Sequence, residues 1–375
     1  MAQRADGTLA STALSMIRGV DAAVVRHLEE CGLTPSDFFS LSDDALAEAL
    51  GMKRQDVWNE HIRDEAVFKA RSELDQISRY RLMRPLFLLD DDYPEFLRSV
   101  PDAPVVIYIL GDCKLDRLHS ISVVGTRKAT PYGLDFAHRI VEELAGYFPD
   151  LLVVSGLASG IDSAAHIAAL KAGRDTVGVM AHGLHIVYPA INRQLAKQII
   201  DAGGALISEY PLGTTPFRGR FLERNRIVAA LSPVTIVVES DIRGGAMSTA
   251  YTADSYHREV MALPGRVGDP TSAGCNLLIR RGKAQLITCA ADLIEHTGWS
   301  LFNVAVDCSR RNLFPELDGD ARIIYDVLRQ KSDALTIDEL CMRTGLNAAR
   351  LLAQLTELEF DGVIARHSGG RYTAL

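Results

Sequence analysis

A succession of short apolar runs, VVIYIL, ISVVG, LLVVSG, TVGVM, ALIS, TIVVE and VMALPG, spaced between Val105 and Gly265, leaves few architectures open. Each run has strand length, and stretches of helical periodicity separate them. Strands alternating with helices imply a parallel sheet wound by crossover connections. A run such as Ile236, Val237 and Val238, apolar at consecutive positions, marks a strand covered on both faces. Nearly every run ends in glycine, serine or a charged residue. Chemistry-bearing side chains are therefore gathered at one edge of the sheet, where open α/β folds hold their ligands.

That edge carries an unusual density of arginine. From Phe217 to Ala250 the chain reads FRGRFLERNRIVAALSPVTIVVESDIRGGAMSTA. Arg218, Arg220, Arg224 and Arg226, with Asn225, crowd into one loop and helix beside a single acid, Glu223. Arg243, Gly244 and Gly245 then follow the next strand and open another helix. Guanidinium forks beside the free N–H groups of a helix start form an anion site, and phosphate is the expected anion. Two more strand-to-helix turns add to it. One runs through Gly125, Thr126 and Arg127, and the other through Ser155, Gly156, Leu157, Ala158, Ser159 and Gly160, whose glycines let backbone approach a ligand. Neither is a GxGxxG dinucleotide fingerprint or a GxxxxGK[ST] P-loop, and no HxH, HExxH or DxD cluster occurs. No cofactor and no metal are expected.

The flanks read differently. Residues 8–80 form a small helical region. Leu14, Ile17, Val20, Val24, Val25 and Leu28 recur at helical spacing, Gly32 ends that pattern, and Ser42 caps a following helix through Leu50. Beyond a linker between about Asn303 and Gly319, a helix over Ala321–Gln330, a second opened by Thr336 and ending near Gly345, and a third over Asn347–Glu359 precede a hairpin across Ser368, Gly369 and Gly370. Three helices and a hairpin make a winged helix. Arg350 on its third helix is balanced by Glu357 and Glu359, which favours protein contacts over a DNA role through Arg366 and Arg371.

At 375 residues the chain has length for two or three domains. A net charge of −8 argues against a protein that coats nucleic acid indiscriminately. The acid excess sits mostly at the amino end, and the central region is balanced with its arginines at strand ends. Six cysteines stand far apart with no CxxC pair, so a zinc site or disulfide framework is not suggested. Residues 1–20 lack a signal-peptide pattern and no apolar run approaches a membrane span. A cytoplasmic protein with no membrane association is expected.

The strings SGLASGIDSAAH, YPAINRQL, SEYPLG and RNRIVAALSPVTIVVES, in this order, resemble the DNA-processing protein A family, also called Smf. The likeness is strong over residues 85–290. It implies an α/β protein whose extended Rossmann-like core over 83–300 binds single-stranded DNA. It also implies an amino-terminal helical module of SAM or helix-hairpin-helix type over 1–82, a linker over 301–319 and a winged helix over 320–375. In such a protein the DNA is protected and the RecA recombinase is loaded onto it during natural transformation, commonly by a homodimer. By this resemblance Arg127 is a phosphate-contacting arginine, Ser155 to Gly160 a backbone cradle, and Arg224, Asn225 and Arg226 an RNR motif. Asn192 and Arg193 fall in its YPxxN segment, with Arg193 and Lys197 as the available cations. Two departures stand out. The family's SGSLIT turn is GGAMST here, which removes a hydroxyl, and its LGxG segment is Met180, Ala181, His182 and Gly183.

Tyr188, Phe217 and Phe221 are available as stacking platforms, although burial in the core is the ordinary fate of such side chains. Two other classes of function stay open at this stage. Asp162 with His166, four apart on one helix face, could serve a nucleotide hydrolase related to phosphoribohydrolases, but no PGGxGT segment accompanies them. Asp162 is also a ready helix cap and His166 a ready core group. A duplex-DNA regulator would instead draw its affinity from the winged helix.

Overall fold

A computed structural model describes residues 2–53, 58–299, 319–329, 335–360, 363–367 and 371–374. They fall into two compact units, one up to residue 299 and one from residue 319. No described helix is long and apolar enough to cross a membrane.

The first unit is built on a nine-stranded sheet: β1 (Met83–Phe87), β2 (Val106–Gly111), β3 (Ser120–Gly125), β4 (Leu152–Ser155), β5 (Asp175–Val179), β6 (Ala205–Ser208), β7 (Val234–Val238), β8 (Glu259–Ala262) and β9 (Gln285–Leu286). Their order across the sheet is β1-β2-β6-β5-β4-β3-β7-β8-β9. From β6 to β9 all neighbours are parallel, as the apolar runs predict. β1 and β2 depart from that expectation, since β2 joins β6 antiparallel and β1 joins β2 antiparallel. β1 carries Arg84 and Pro85, and a proline that cannot donate to a ladder is tolerated at an edge.

Residues on successive positions of a strand face opposite sides, and the core divides accordingly. Ile121, Val123, Val153, Ile236 and Val238 pack on one face against helices Pro131–Tyr147, Ile161–Lys171 and Ala290–Thr297. Val124, Leu152, Val154 and Val237 pack on the other face, against helices Arg193–Asp201, Arg218–Ala230 and Gly245–Ser255.

The amino-terminal helices span Ala2–Ser15, Ala22–Glu30, Pro35–Ser40, Asp43–Ala49 and Glu60–Ile77. The apolar spacing from Leu14 to Leu28 suggests one continuous helix, but the chain breaks it. Gly19 takes φ +91°, and Asp21 caps the next helix by accepting the Val24 N–H at 3.0 Å. Ser42 caps its helix as expected. Leu14, Phe38, Ala66 and Ala70 join the same core as Leu86, Ile107 and Ile109, so these helices share a hydrophobic interior with the β1–β2 edge.

The second unit has helices Gly319–Arg329, Ile337–Thr344 and Ala348–Phe360, with β10 (Leu335–Thr336), β11 (Ile364–His367) and β12 (Arg371–Ala374) in the order β10-β12-β11. Ile324, Leu328, Leu340, Leu351, Leu355 and Tyr372 form its core. Three helices and an antiparallel hairpin are the winged helix expected of this segment. Arg350 of the third helix is engaged by Asp320. Most of the linker and the hairpin turn at 368–370 lie outside the described residues.

Candidate nucleic-acid interface

β3 has β4 on one side and β7 on the other. The chain leaves β3 through β4, β5 and β6, then returns along helix Arg218–Ala230 to place β7 against β3 from the opposite side. Connections therefore diverge at the carboxyl ends of β3 and β7, the position at which sheets of this kind open a crevice. A cavity of about 930 Å³ lies there. Its walls come from the turns after β3, β4 and β7 and from the start of helix Arg218–Ala230, so the sequence-predicted turns do converge.

Arg127, Arg218 and Arg243 line this cavity and are exposed. None has a carboxylate partner among the described residues. The Arg127 guanidinium lies over the Phe221 ring, 5.5 Å from its centroid. Phe221 in turn meets Tyr188 at 5.7 Å between centroids. Contrary to burial in the core, Phe217 is 65% exposed and Tyr188 48% exposed, and all three rings line the cavity. Phe217 immediately precedes its helix and Tyr188 sits in a loop, so neither side chain has an element to cover it.

Arg224 has a different place. It is 4% exposed, and its Nη1 donates to the Gly156 carbonyl at 2.9 Å and to the Val179 carbonyl. Burial lowers its pKa to about 10, against the attraction of Asp162 and with the repulsion of Arg127. It ties the turn after β4 to the end of β5 and supplies positive charge from beneath. Asn225 lines the cavity beside it.

The glycine-rich turn after β4 is also shaped from within. A Cβ on Gly156 would collide with the Arg224 guanidinium and the Asp162 carboxylate, and Gly160, at φ +84°, passes against the Thr126 carbonyl. Asp162 accepts the Ala158 N–H at 3.2 Å. Burial raises the Asp162 pKa, while Arg224 and the backbone N–H groups of Ala158 and Gly156 oppose the rise. Donors expected to cradle a phosphate are thus turned onto the protein's own carboxylate. After β7 the situation is reversed. Gly244 caps helix Gly245–Ser255 without any side-chain acceptor, and Gly244, Gly245 and Ala246 line the cavity. The first N–H groups of a helix have no intrahelical partner, so this end faces the cavity with open donors.

Other expected site residues lie elsewhere. The Ser155 hydroxyl donates to the Val123 carbonyl at 2.6 Å within the sheet. Asn192 donates to the Leu157 carbonyl at 2.8 Å and braces the turn from behind. Ser159 and Arg193 are outside the cavity walls, and Lys197 pairs with Asp201 at 2.6 Å. Arg220 donates to the Thr215 carbonyl at 2.7 Å and stacks over Tyr210. Arg226 pairs with Glu209 at 2.5 Å on a side of the helix away from the cavity. Thr126, Ser240, Ser248 and Thr249 line the cavity and were not singled out as site residues, although the GGAMST string contains the last two.

The hydrolase arrangement is not assembled. His166 is fully buried, with Nδ1 at 2.7 Å from the Thr176 hydroxyl, which itself donates to the Val153 carbonyl. Burial, assisted by the Arg224 charge, lowers its pKa to about 3. It is a neutral core imidazole and does not line the cavity.

Residues 84–298 match the family model described as DNA recombination-mediator protein A. The chain belongs to this family. Residues 312–370 match the DprA winged helix domain. A DNA processing protein DprA of Mycobacterium tuberculosis is 41% identical over 281 residues, covering 74% of this chain and 70% of that protein. Protein Smf of Escherichia coli is 35% identical over 282 residues, 74% of each chain. The X-ray structure of Streptococcus pneumoniae DprA superposes with a TM-score of 0.59 at 32% identity, over 73% of this chain and 97% of that one. DNA processing protein A of Helicobacter pylori, whose structure addresses its single-stranded DNA binding mode, matches with a TM-score of 0.52 at 32% identity, over 59% and 97%.

Proposed function

We propose that this DprA family member binds single-stranded DNA in the cavity at the switch between β3 and β7, and that it acts as a binding protein without a catalytic step. The carrying observation is that Arg127, Arg218 and Arg243, without carboxylate partners among the described residues, share the walls of one cavity with the exposed rings of Tyr188 and Phe217 and the half-buried ring of Phe221. Phosphates would be held by the guanidinium groups and the N–H groups of Gly245 and Ala246, with Arg224 supplying charge from below and Gly125, Gly156, Asn225 and Gly244 shaping the wall. Stacking on aromatic faces needs unpaired bases, which selects single strands without selecting sequence. The family resemblance further supports delivery of the strand to RecA by a homodimer in the cytoplasm.

The double variant Arg127→Ala with Arg243→Ala tests the site. Fluorescence anisotropy with a labelled single-stranded oligonucleotide should show a large loss of affinity in a protein that still unfolds cooperatively. Unchanged affinity in that folded variant would remove the cavity from the function. Delivery to RecA is tested by RecA filament formation on strands covered with single-strand-binding protein, which should be faster when this protein is added.

A further inference from the structure

Two carboxylates at the switch point do work that no external ligand is left to do. In sheets of this topology a bound pyrophosphate sits at the start of the helix following the first parallel strand, where free N–H groups and the helix dipole favour an anion. Here that helix is Pro131–Tyr147, which follows β3 and begins at Thr130. Its start is already filled. Glu239, the residue after β7, accepts the Thr130 N–H at 2.8 Å and the Thr130 hydroxyl. It is 2% exposed and holds φ +55°, a left-handed backbone unfavourable for a side chain of this kind. Its carboxylate fits so closely that a Cβ on Gly133 would collide with it. The next helix, Ile161–Lys171, is treated likewise, since Asp162 occupies its first turn at 7% exposure and takes the Ala158 N–H.

We propose that Glu239 and Asp162 are specificity-determining residues that act as built-in anions. Asp162 fills a helix start that lines the cavity and Glu239 fills the neighbouring helix start after β3, just outside the cavity walls, so that the site accepts a phosphodiester strand and refuses nucleoside diphosphates and triphosphates. A pyrophosphate group brings several negative charges into one place and needs donors from adjacent turns. The turns after β3 and β4 meet it with fixed carboxylates, and the open donors that remain are at Gly245 and Ala246, since the Gly244 N–H donates to the Asp241 carbonyl at 2.9 Å. A DNA strand places one charge on each phosphate and spreads them along the arginines. This assignment rests on the reading of the cavity as a single-strand site.

The test is a calorimetric titration of inorganic pyrophosphate and of ADP into the full chain at fixed ionic strength. Wild type is compared with Glu239→Gly, which removes the carboxylate and suits the left-handed backbone, and with Asp162→Asn, which removes charge without changing shape. Cooperative thermal unfolding confirms that each variant is folded. The expected result is no saturable binding to wild type and a gain of roughly tenfold or more in Glu239→Gly, the scale of one restored charge-assisted site. Asp162→Asn should shift in the same direction. Wild type that binds pyrophosphate as tightly as the variants, or folded variants that gain nothing, would overturn the assignment. A parallel titration with single-stranded DNA separates the two claims: wild type that ignores DNA while Glu239→Gly gains pyrophosphate counts against the DNA reading alone.

Discussion

Arg127 and Phe221 form a cation–π pair at the mouth of the switch-point cavity, the guanidinium carbon 5.5 Å from the ring centroid. The pair joins the two kinds of contact a single strand offers, charge and base face, at one point. Because Phe221 also meets Tyr188, the charge is presented on an aromatic shelf rather than on a bare loop.

Loss of an exposed ring from the cavity wall should be read only by unpaired bases. Phe217→Ala and Tyr188→Ala are each expected to cost about 1–3 kcal/mol of single-strand affinity, the scale of one base stacked on an aromatic ring. Duplex binding should barely change. Parallel anisotropy titrations of both variants check this, and an equal loss for duplex would assign the rings a packing role.

Arg226 supplies the contrasting case. It points away from the cavity and neutralises Glu209, whose pKa burial raises against the pull of the Arg226 charge. Arg226→Ala strands a largely buried carboxylate and is expected to lower stability by about 3 kcal/mol. Single-strand affinity should stay near wild type. Urea unfolding with an anisotropy titration measures both, and a loss of affinity without a loss of stability would return Arg226 to the interface.

How much of this was readable in the sequence depends on how local each determinant is. β3, β4 and β7 were plain because they are short, largely apolar runs buried on both faces, and the winged helix because Thr336 and Gly345 mark helix ends. β1 was hidden, since Arg84 and Pro85 interrupt its pattern and the pairing with β2 supplies what its composition lacks. Arg224 and Arg226 looked alike in RNR, yet residues two apart on a helix differ by roughly 200° in direction. One therefore reached beneath the glycine turn and the other reached Glu209. Glu239 had no local signature at all. Its partner is Thr130, more than one hundred positions away, and only the parallel pairing of β3 with β7 brings them together.

His166 provides a pH signature. Its pKa is lowered from 6.5 to about 3 by burial, so between those values the unfolded chain takes up a proton that the folded chain does not. Stability is unaffected above pH 6.5 and falls as the pH is lowered, by up to about 1.4 kcal/mol for each pH unit. His166→Gln should flatten that acid limb while keeping a donor for Thr176. Denaturation curves of both proteins from pH 6.5 downward check the difference, and parallel curves would contradict a neutral buried imidazole.

The central claim is a phosphate-tracking cavity that requires single strands, and a binding titration against one oligonucleotide and its matching duplex at two salt concentrations tests it most directly. The expected result is a clear preference for the single strand. Its affinity should fall with salt at a slope of about 0.7 for each phosphate neutralised, and the slope should shrink when Arg127, Arg218 or Arg243 is removed. Equal affinity for the two forms, or a single-strand affinity indifferent to salt, would contradict it.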